Sequence, residues 1–160
     1  MVRVLNKELQ EFIHQGLSIT AASRDPRLIP SISKALACRV SADFATVHLF
    51  VNQVQAGQLL ADIASSQRIA ATYCLPSSHK TIQIKGRQAK QTELRTGDLE
   101  YTLQYVQRLT KDLESMGYDP DIIGRYLHVD PEQLVAISFL PEAIFEQSPG
   151  ENAGEPMELS

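Results

Sequence analysis

Long apolar runs are missing from this chain. No segment approaches the roughly 20 apolar residues needed to cross a bilayer, and Met1 to His14 alternates charge and apolarity without the apolar centre of a secretion signal. No membrane partner is expected, and the default compartment is the cytosol, so the localisation reads as cytoplasmic. Cysteine is scarce. Cys38 and Cys74 are too few for a disulfide framework, show no Cys-x-x-Cys or metal-ligand spacing, and sit in apolar, strand-like surroundings that suit buried free thiols. A basic excess is also absent. With 15 Lys and Arg against 19 Asp and Glu, the net charge is −4. A duplex nucleic acid partner is not expected, because phosphate contacts need a concentrated basic face; a local basic pocket for one phosphate stays open. No two of the four histidines have a metal spacing. No Ser/His/Asp or Cys/His arrangement stands out, and there is no internal repeat, so the sequence names no catalytic residue.

What is present is enough for one domain of 160 residues with a real core. Asn6 can cap a short helix over Lys7 to His14, with Leu9, Phe12 and Ile13 on one face and Gly16 as its stop. Period-two alternation marks strands at Leu17–Ser23, at about Pro30–Val40, and at Thr46–Val51. Arg24-Asp25-Pro26-Arg27 reads as a tight turn. Val54, Leu59, Leu60 and Ile63 then fit a short amphipathic helix ending near Ser65 and Ser66. Arg68–Leu75 and His79–Thr92 return to the strand pattern, with Gly86 as a bulge candidate. Steps of three and four through Leu99, Leu103, Val106, Leu109, Leu113 and Met116 give one long helix, stopped by Gly117. A short helix over Asp121–Leu127 and a strand at Leu134–Leu140 follow. The Pro-, Gly- and Glu-rich tail from Gln147 suggests no regular structure. The fold class is therefore mainly β with helices (α+β): six antiparallel strands that close most economically into a small barrel. Residues 1–146 form the domain, with a helical insertion at about 97–127, and 147–160 form a flexible or ligand-covering tail. A small barrel has little internal room, so a ligand belongs in an outer groove or at a subunit boundary.

Four groups of side chains could carry chemistry. Ser77-Ser78-His79-Lys80-Thr81 offers three hydroxyls, a fixed charge and a titratable ring beside a turn, which suits a phosphate monoester or, blandly, a solvated hairpin. Ser31, Ser33, Lys34 and Arg39 lie on the second strand, where a cation among small apolar residues needs a partner, a ligand or an edge position. Lys34 and Arg39 have opposite parity, so without a bulge they cannot share a face. Gln53, Gln55 and Gln58 lead into the short helix, whose free amides attract a phosphate or a flavin carbonyl, or are simply capped. His48 alternates with apolar residues and reads as a core or interface histidine; His14 and His128 read as superficial. Glu93, Asp98 and Glu100 suit the start of the long helix through its dipole. Tyr101 and Tyr105 read as packing groups that could also cover a flat ring.

The order of elements, and above all Ala56 to Arg87 (AGQLLADIASSQRIAATYCLPSSHKTIQIKGR), resembles the pyridoxamine 5′-phosphate oxidase-like FMN-binding split barrels. The helix, the arginine-led strand at Arg68, the polar turn and the Ile82-x-Ile84-x-Gly86 strand end carry the likeness, which spans roughly residues 5 to 92. Pro141 to Gly154 resembles a closing segment in one branch of that family. The resemblance implies a homodimer with FMN at its interface, a small-molecule substrate, and oxidoreductase activity. It implies cofactor contacts from Ser33, Lys34, Arg39, Gln53, Gln58 and the 77–81 turn. Gln58-Leu59 stands where the oxidases proper have an Arg-Lys pair, and the helix at 98–116 replaces their C-terminal substrate segment, so vitamin B6 oxidation is not expected. The alternatives are a non-catalytic sensing or binding module holding a flavin, haem or a deazaflavin, and a structural dimer with an empty groove.

Overall fold

Alternating burial builds the sheet. In the computed structural model, which describes residues 4–158, strand β1 (Ser18–Arg24) buries Ile19, Ala21 and Ser23 and turns Thr20 and Arg24 outward. The remaining strands are β2 (Pro30–Ala35), β3 (Ala37–Val40), β4 (Val47–Asn52), β5 (Arg68–Leu75), β6 (Lys80–Thr92) and β7 (Leu134–Glu146). All seven lie in one antiparallel sheet of order β2-β1-β5-β6-β7-β4-β3. Four helices complete the described residues: α1 (Lys7–Ile13), α2 (Gly57–Ser66), α3 (Asp98–Ser115) and α4 (Pro120–Tyr126).

The expected six strands are seven among the described residues. The single strand foreseen over Pro30–Val40 breaks at Leu36, whose N–H donates to the Phe50 carbonyl of β4 at 2.7 Å. Residues before the break pair with β1 and those after it with β4, so β2 and β3 become the two opposite edges of the sheet. Because one residue joins those edges, the sheet must curl on itself. Leu36 is 2% exposed, so the break was invisible in a run of small apolar residues. The last strand is also longer than its alternation suggested, running through Pro141 to Glu146 beside β6. Pro141 needs no ladder donor here because it faces a bulge: Lys85 pairs with Ala143 and Gly86 with Pro141, leaving Glu142 extra. Gly86 is needed at this point. A Cβ there would lie 2.2 Å from Phe139 Cδ2.

The core is the concave face of the curled sheet, where Ile19, Tyr73, Ile82, Ile84, Leu49 and Ile137 meet Phe12 and Ile13 of α1 and Leu59 and Ile63 of α2. Each such side chain contributes about 1.5–3 kcal/mol when fully buried. Asn6 Oδ1 caps α1 by accepting from Leu9 N–H at 3.0 Å. Asp119 caps α4, with Pro120 in its first turn as the missing proline N–H allows. Helix α3 buries Asp98, Thr102, Tyr105 and Leu109, and Tyr105, fully buried, donates to the Ile13 carbonyl at 2.7 Å. Of the expected stripe, Leu103 and Met116 stay exposed, while Val106, Leu109 and Leu113 pack with Ile123 of α4 and Leu127 after it. His14 is not superficial: its Nε2 accepts the Val40 N–H at 3.0 Å, tying α1 to β3. The tail folds back as well. Glu146 N–H donates to the Glu155 carbonyl, Met157 N–H to that of Ile144, and Phe145 bridges to Pro156.

Candidate functional site

Directly paired residues in an antiparallel sheet share a face. Arg39 pairs with His48, His48 with Ser138, and Ser138 with Lys90, so four polar side chains form one row across β3, β4, β7 and β6. At a strand spacing of about 4.8 Å the row spans roughly 14 Å. It stands on the convex face, and the next row, Ala37, Phe50, Ala136 and Thr92, passes beneath α3, where Phe50 meets Tyr101 at 6.1 Å between ring centres.

Lys90 reaches this row only because β6 carries a second bulge. Ile82, Ile84 and Gly86 are buried, so continued alternation would have turned Lys90 into the core. Between Arg87 and Lys90 the strand advances three residues while β7 advances two, and the parity reverses. Gln88 takes φ 54° at the bulge, and Ala89 N–H leaves the ladder to donate to the Gln67 carbonyl at 3.1 Å. Gln67 itself has φ 55° at the end of α2.

These elements frame a cleft of about 720 Å³ lined by His48, Ser138, Lys90, Arg95, Gln67, Gln88 and Thr92, with Ser41, Asp43 and Thr46 from the hairpin after β3 at its edge. That size and a few converging polar groups suit a small-molecule ligand. His48 and Ser138 are 9% and 8% exposed, yet among the described residues neither side chain has a hydrogen bond. Lys90 and Arg95 side chains likewise have no hydrogen bond or ion pair among the described residues. Asp98 organises the back of the site. Its carboxylate is buried, accepts the Arg39 guanidinium through Oδ1 and the Arg95 N–H through Oδ2 at 2.8 Å. Arg39 further stacks over Phe50 and Tyr101. Burial, with Arg39 and Arg95 nearby, holds His48 below the ordinary histidine range, and Asp98 opposes this only in part. The imidazole is therefore neutral near pH 7.

The residues expected from the sequence are distributed around the barrel. Arg39 belongs to the polar row. Lys34 points outward from β2, donates to the Tyr126 carbonyl of α4 and sits 4.1 Å from the Tyr126 ring centre; burial lowers its pKa. Ser33, with opposite parity, pairs with Ala21. Gln53 Nε2 donates to Gln133 Oε1 at 3.0 Å, and Gln58 Nε2 to Asp62 Oδ1 at 2.9 Å. The 77–81 turn closes the β5–β6 hairpin. There Ser77 N–H donates to Asp112 of α3, Ser78 Oγ accepts the Lys80 N–H, Thr81 Oγ1 donates to the His79 carbonyl, and Lys80 lies 4.6 Å from the Phe12 ring centre. Thr81 N–H donates to Ser148 Oγ of the tail. The reading of His48 as a satisfied histidine missed the cleft. The signal was its outward parity in an apolar strand; the partners Ser138 and Lys90 lie far away in sequence.

No family model matches the chain, and no curated protein matches it. Solved structures do. HupZ of Group A Streptococcus aligns at 19% identity and TM-score 0.56, over 94% of this chain and 99% of that one. A candidate pyridoxamine 5′-phosphate oxidase of Lactobacillus delbrueckii aligns at 12% identity and TM-score 0.55, over 90% and 95%. The fold is that of the split-barrel proteins. HutZ of Vibrio cholerae, described as a haem storage protein, aligns at 13% identity and TM-score 0.50, over 91% and 95%. At these identities the likeness is one of fold. No helix among the described residues is long and apolar enough to cross a membrane.

Proposed function

We propose that this protein binds a flavin-type cofactor, FMN in the first instance, in the cleft beside the Arg39–His48–Ser138–Lys90 row, and that it does so as a homodimer. The observation that carries the reading is the cleft itself. Among the described residues it joins two cations without ion pairs to the His48 ring and the Ser138 hydroxyl, which have no hydrogen bond and whose polar atoms are open to the cleft, on a split barrel. Open donors beside two cations attract acceptor oxygens, so a ligand with acceptor oxygens fits this lining. When bound, the flavin would supply electron chemistry in an oxidoreductase reaction, and this chain would supply binding and orientation. The phosphate role foreseen for the 77–81 turn passes to the cleft in this reading, because the Ser77 and Thr81 N–H groups already hold α3 and the tail and Lys80 lies over Phe12 of α1. The dimer reading is supported by the outer face of β1 and β5, where Thr20, Ala22, Ala70 and Thr72 leave a low surface flanked by Ile32, 71% exposed. An exposed apolar patch of this kind suits a protein partner.

A second reading keeps the cleft and changes the ligand. His48 is a neutral imidazole without a hydrogen bond among the described residues, which is what a haem iron accepts as a ligand, and the haem storage protein HutZ shares the fold. The polar lining favours the flavin, since a haem face needs apolar walls. Purified protein titrated with FMN and separately with haemin separates the two. FMN is expected to raise the melting temperature and to weaken about tenfold or more in Lys90→Ala, whereas riboflavin, lacking the charge, is insensitive to that change. A Soret band lost in His48→Ala, with no FMN response, would select haem.

A further inference from the structure

The row has a feature that a generic anion pocket does not need: a histidine at its centre. His48 stands between Arg39 and Ser138, and Ser138 between His48 and Lys90. The charged groups facing His48 are Arg39 on β3, Arg95 before α3, Asp98 on α3 and Lys90 on β6, with Asp43 across the cleft. Asp98 already engages Arg39 and the Arg95 N–H. With no anion in the cleft, three cations outweigh two carboxylates, Asp98 and Asp43, beside a ring that is nine-tenths buried, and the ring stays uncharged.

Resting on the cofactor reading, we propose that the cleft takes the doubly ionised phosphate end of its ligand together with one proton, which His48 accepts. The dianion reverses the sign of the local field. Lys90 and Arg95 neutralise its outer oxygens, Ser138 donates its hydroxyl proton, and the imidazolium N–H donates to an inner oxygen. The His48 ring and the Ser138 hydroxyl, which have no hydrogen bond among the described residues, each gain one thereby. The proton comes from solvent and returns to it on release, so no bond other than N–H is made or broken. The ligand class is a phosphate monoester or a comparable compact dianion. Binding tightens as the pH falls through the neutral range, by up to about tenfold per pH unit for a one-proton linkage.

The test uses the full chain and two probes. Sulfate stays doubly charged across the neutral range, so protons taken up on its binding come onto the protein, whereas the phosphate of FMN titrates near pH 6 itself. Calorimetric titration at pH 7 in two buffers of different ionisation enthalpy is expected to show close to one proton absorbed per sulfate bound. FMN should compete for the same site. His48→Gln, which keeps a side-chain donor, is expected to bind sulfate with the proton uptake gone and the pH dependence flat. Uptake that persists in His48→Gln, or sulfate binding without uptake in the wild type, overturns the proposal while the cofactor reading stands. FMN binding that sulfate does not displace also overturns it. Binding of neither probe at any pH overturns both.

Discussion

Removing the Asp98 carboxylate is expected to destabilise the fold by about 3 kcal/mol. The side chain is 3% exposed and serves two donors, the Arg39 guanidinium and the Arg95 N–H. Breaking a buried pair by deleting one partner costs about 3–5 kcal/mol, chiefly because the other charge is stranded. Here Arg39 keeps 27% of its side-chain surface in contact with solvent, so water can take up part of that cost. The lost Arg95 hydrogen bond to a charged acceptor adds about 1.5 kcal/mol before water replaces it. The lower half of the pair range is therefore the expectation for Asp98→Ala. Urea denaturation followed by far-ultraviolet circular dichroism reads this directly. With a slope of about 2 kcal/mol per molar urea, the midpoint should fall by about 1.5 M. Arg39→Met removes the charge that would be stranded, so the double variant should recover about 1 kcal/mol or more relative to the sum of the single changes. A loss below about 0.5 kcal/mol for Asp98→Ala, or strict additivity in the cycle, would refute the view that Asp98 anchors α3 to the polar row.

Other outcomes follow from the same structure. Gly86→Ala places a Cβ 2.2 Å from the buried Phe139 ring and should cost about 1–3 kcal/mol by thermal melting; Phe139→Leu in the same chain should restore part of it, and no recovery would point to the backbone instead. Cys38 is fully buried, and burial pushes its thiol up to about 12, so iodoacetamide at pH 8 should label it only after unfolding; prompt labelling of Cys38 in the native protein would contradict the packing. Acid should weaken the fold in two stages. Burial, with nearby Arg108 and Arg39, lowers His14 below 6.5, and burial with Arg39 and Arg95 does the same for His48, so the unfolded chain binds more protons. The stability they contribute is present above 6.5 and is lost as the pH falls through their folded values. Glu146, held below 4.5 by Ser148 hydrogen bonds, loses its contribution only in more acid solution. His14→Gln should shrink the first stage to the share of His48 and leave the second, as urea midpoints measured across pH would reveal.

Local patterns carried most elements. The alternation of Leu17–Ser23 and Arg68–Leu75, the span of α3, the Asn6 cap and the bulge at Gly86 were legible because each depends on neighbours within a few residues. The buried face of α3 was not, since Thr102 and Tyr105 turn inward while Leu103 and Met116 stay exposed. The break at Leu36 was not, since a strand that changes partners keeps the same alternation. The cleft was legible only in fragments. His48 displayed its outward parity, but Lys90 sits on the wrong parity until the bulge at Gln88 reverses it, and nothing local announces that reversal. The resemblance placed ligand contacts at Lys34 and the 77–81 turn, where the folded chain supplies partners of its own from Tyr126, Asp112 and Ser148.

The residues in order determined which segments become strands and helices, where helices start and stop, and that no segment is built to cross a bilayer as a helix. Only the tertiary structure decided which strands meet, and with that which polar residues share a face. The reason is range: secondary structure answers to contacts three or four residues away, whereas Arg39, His48, Ser138 and Lys90 come together through pairings that the curl of one sheet imposes.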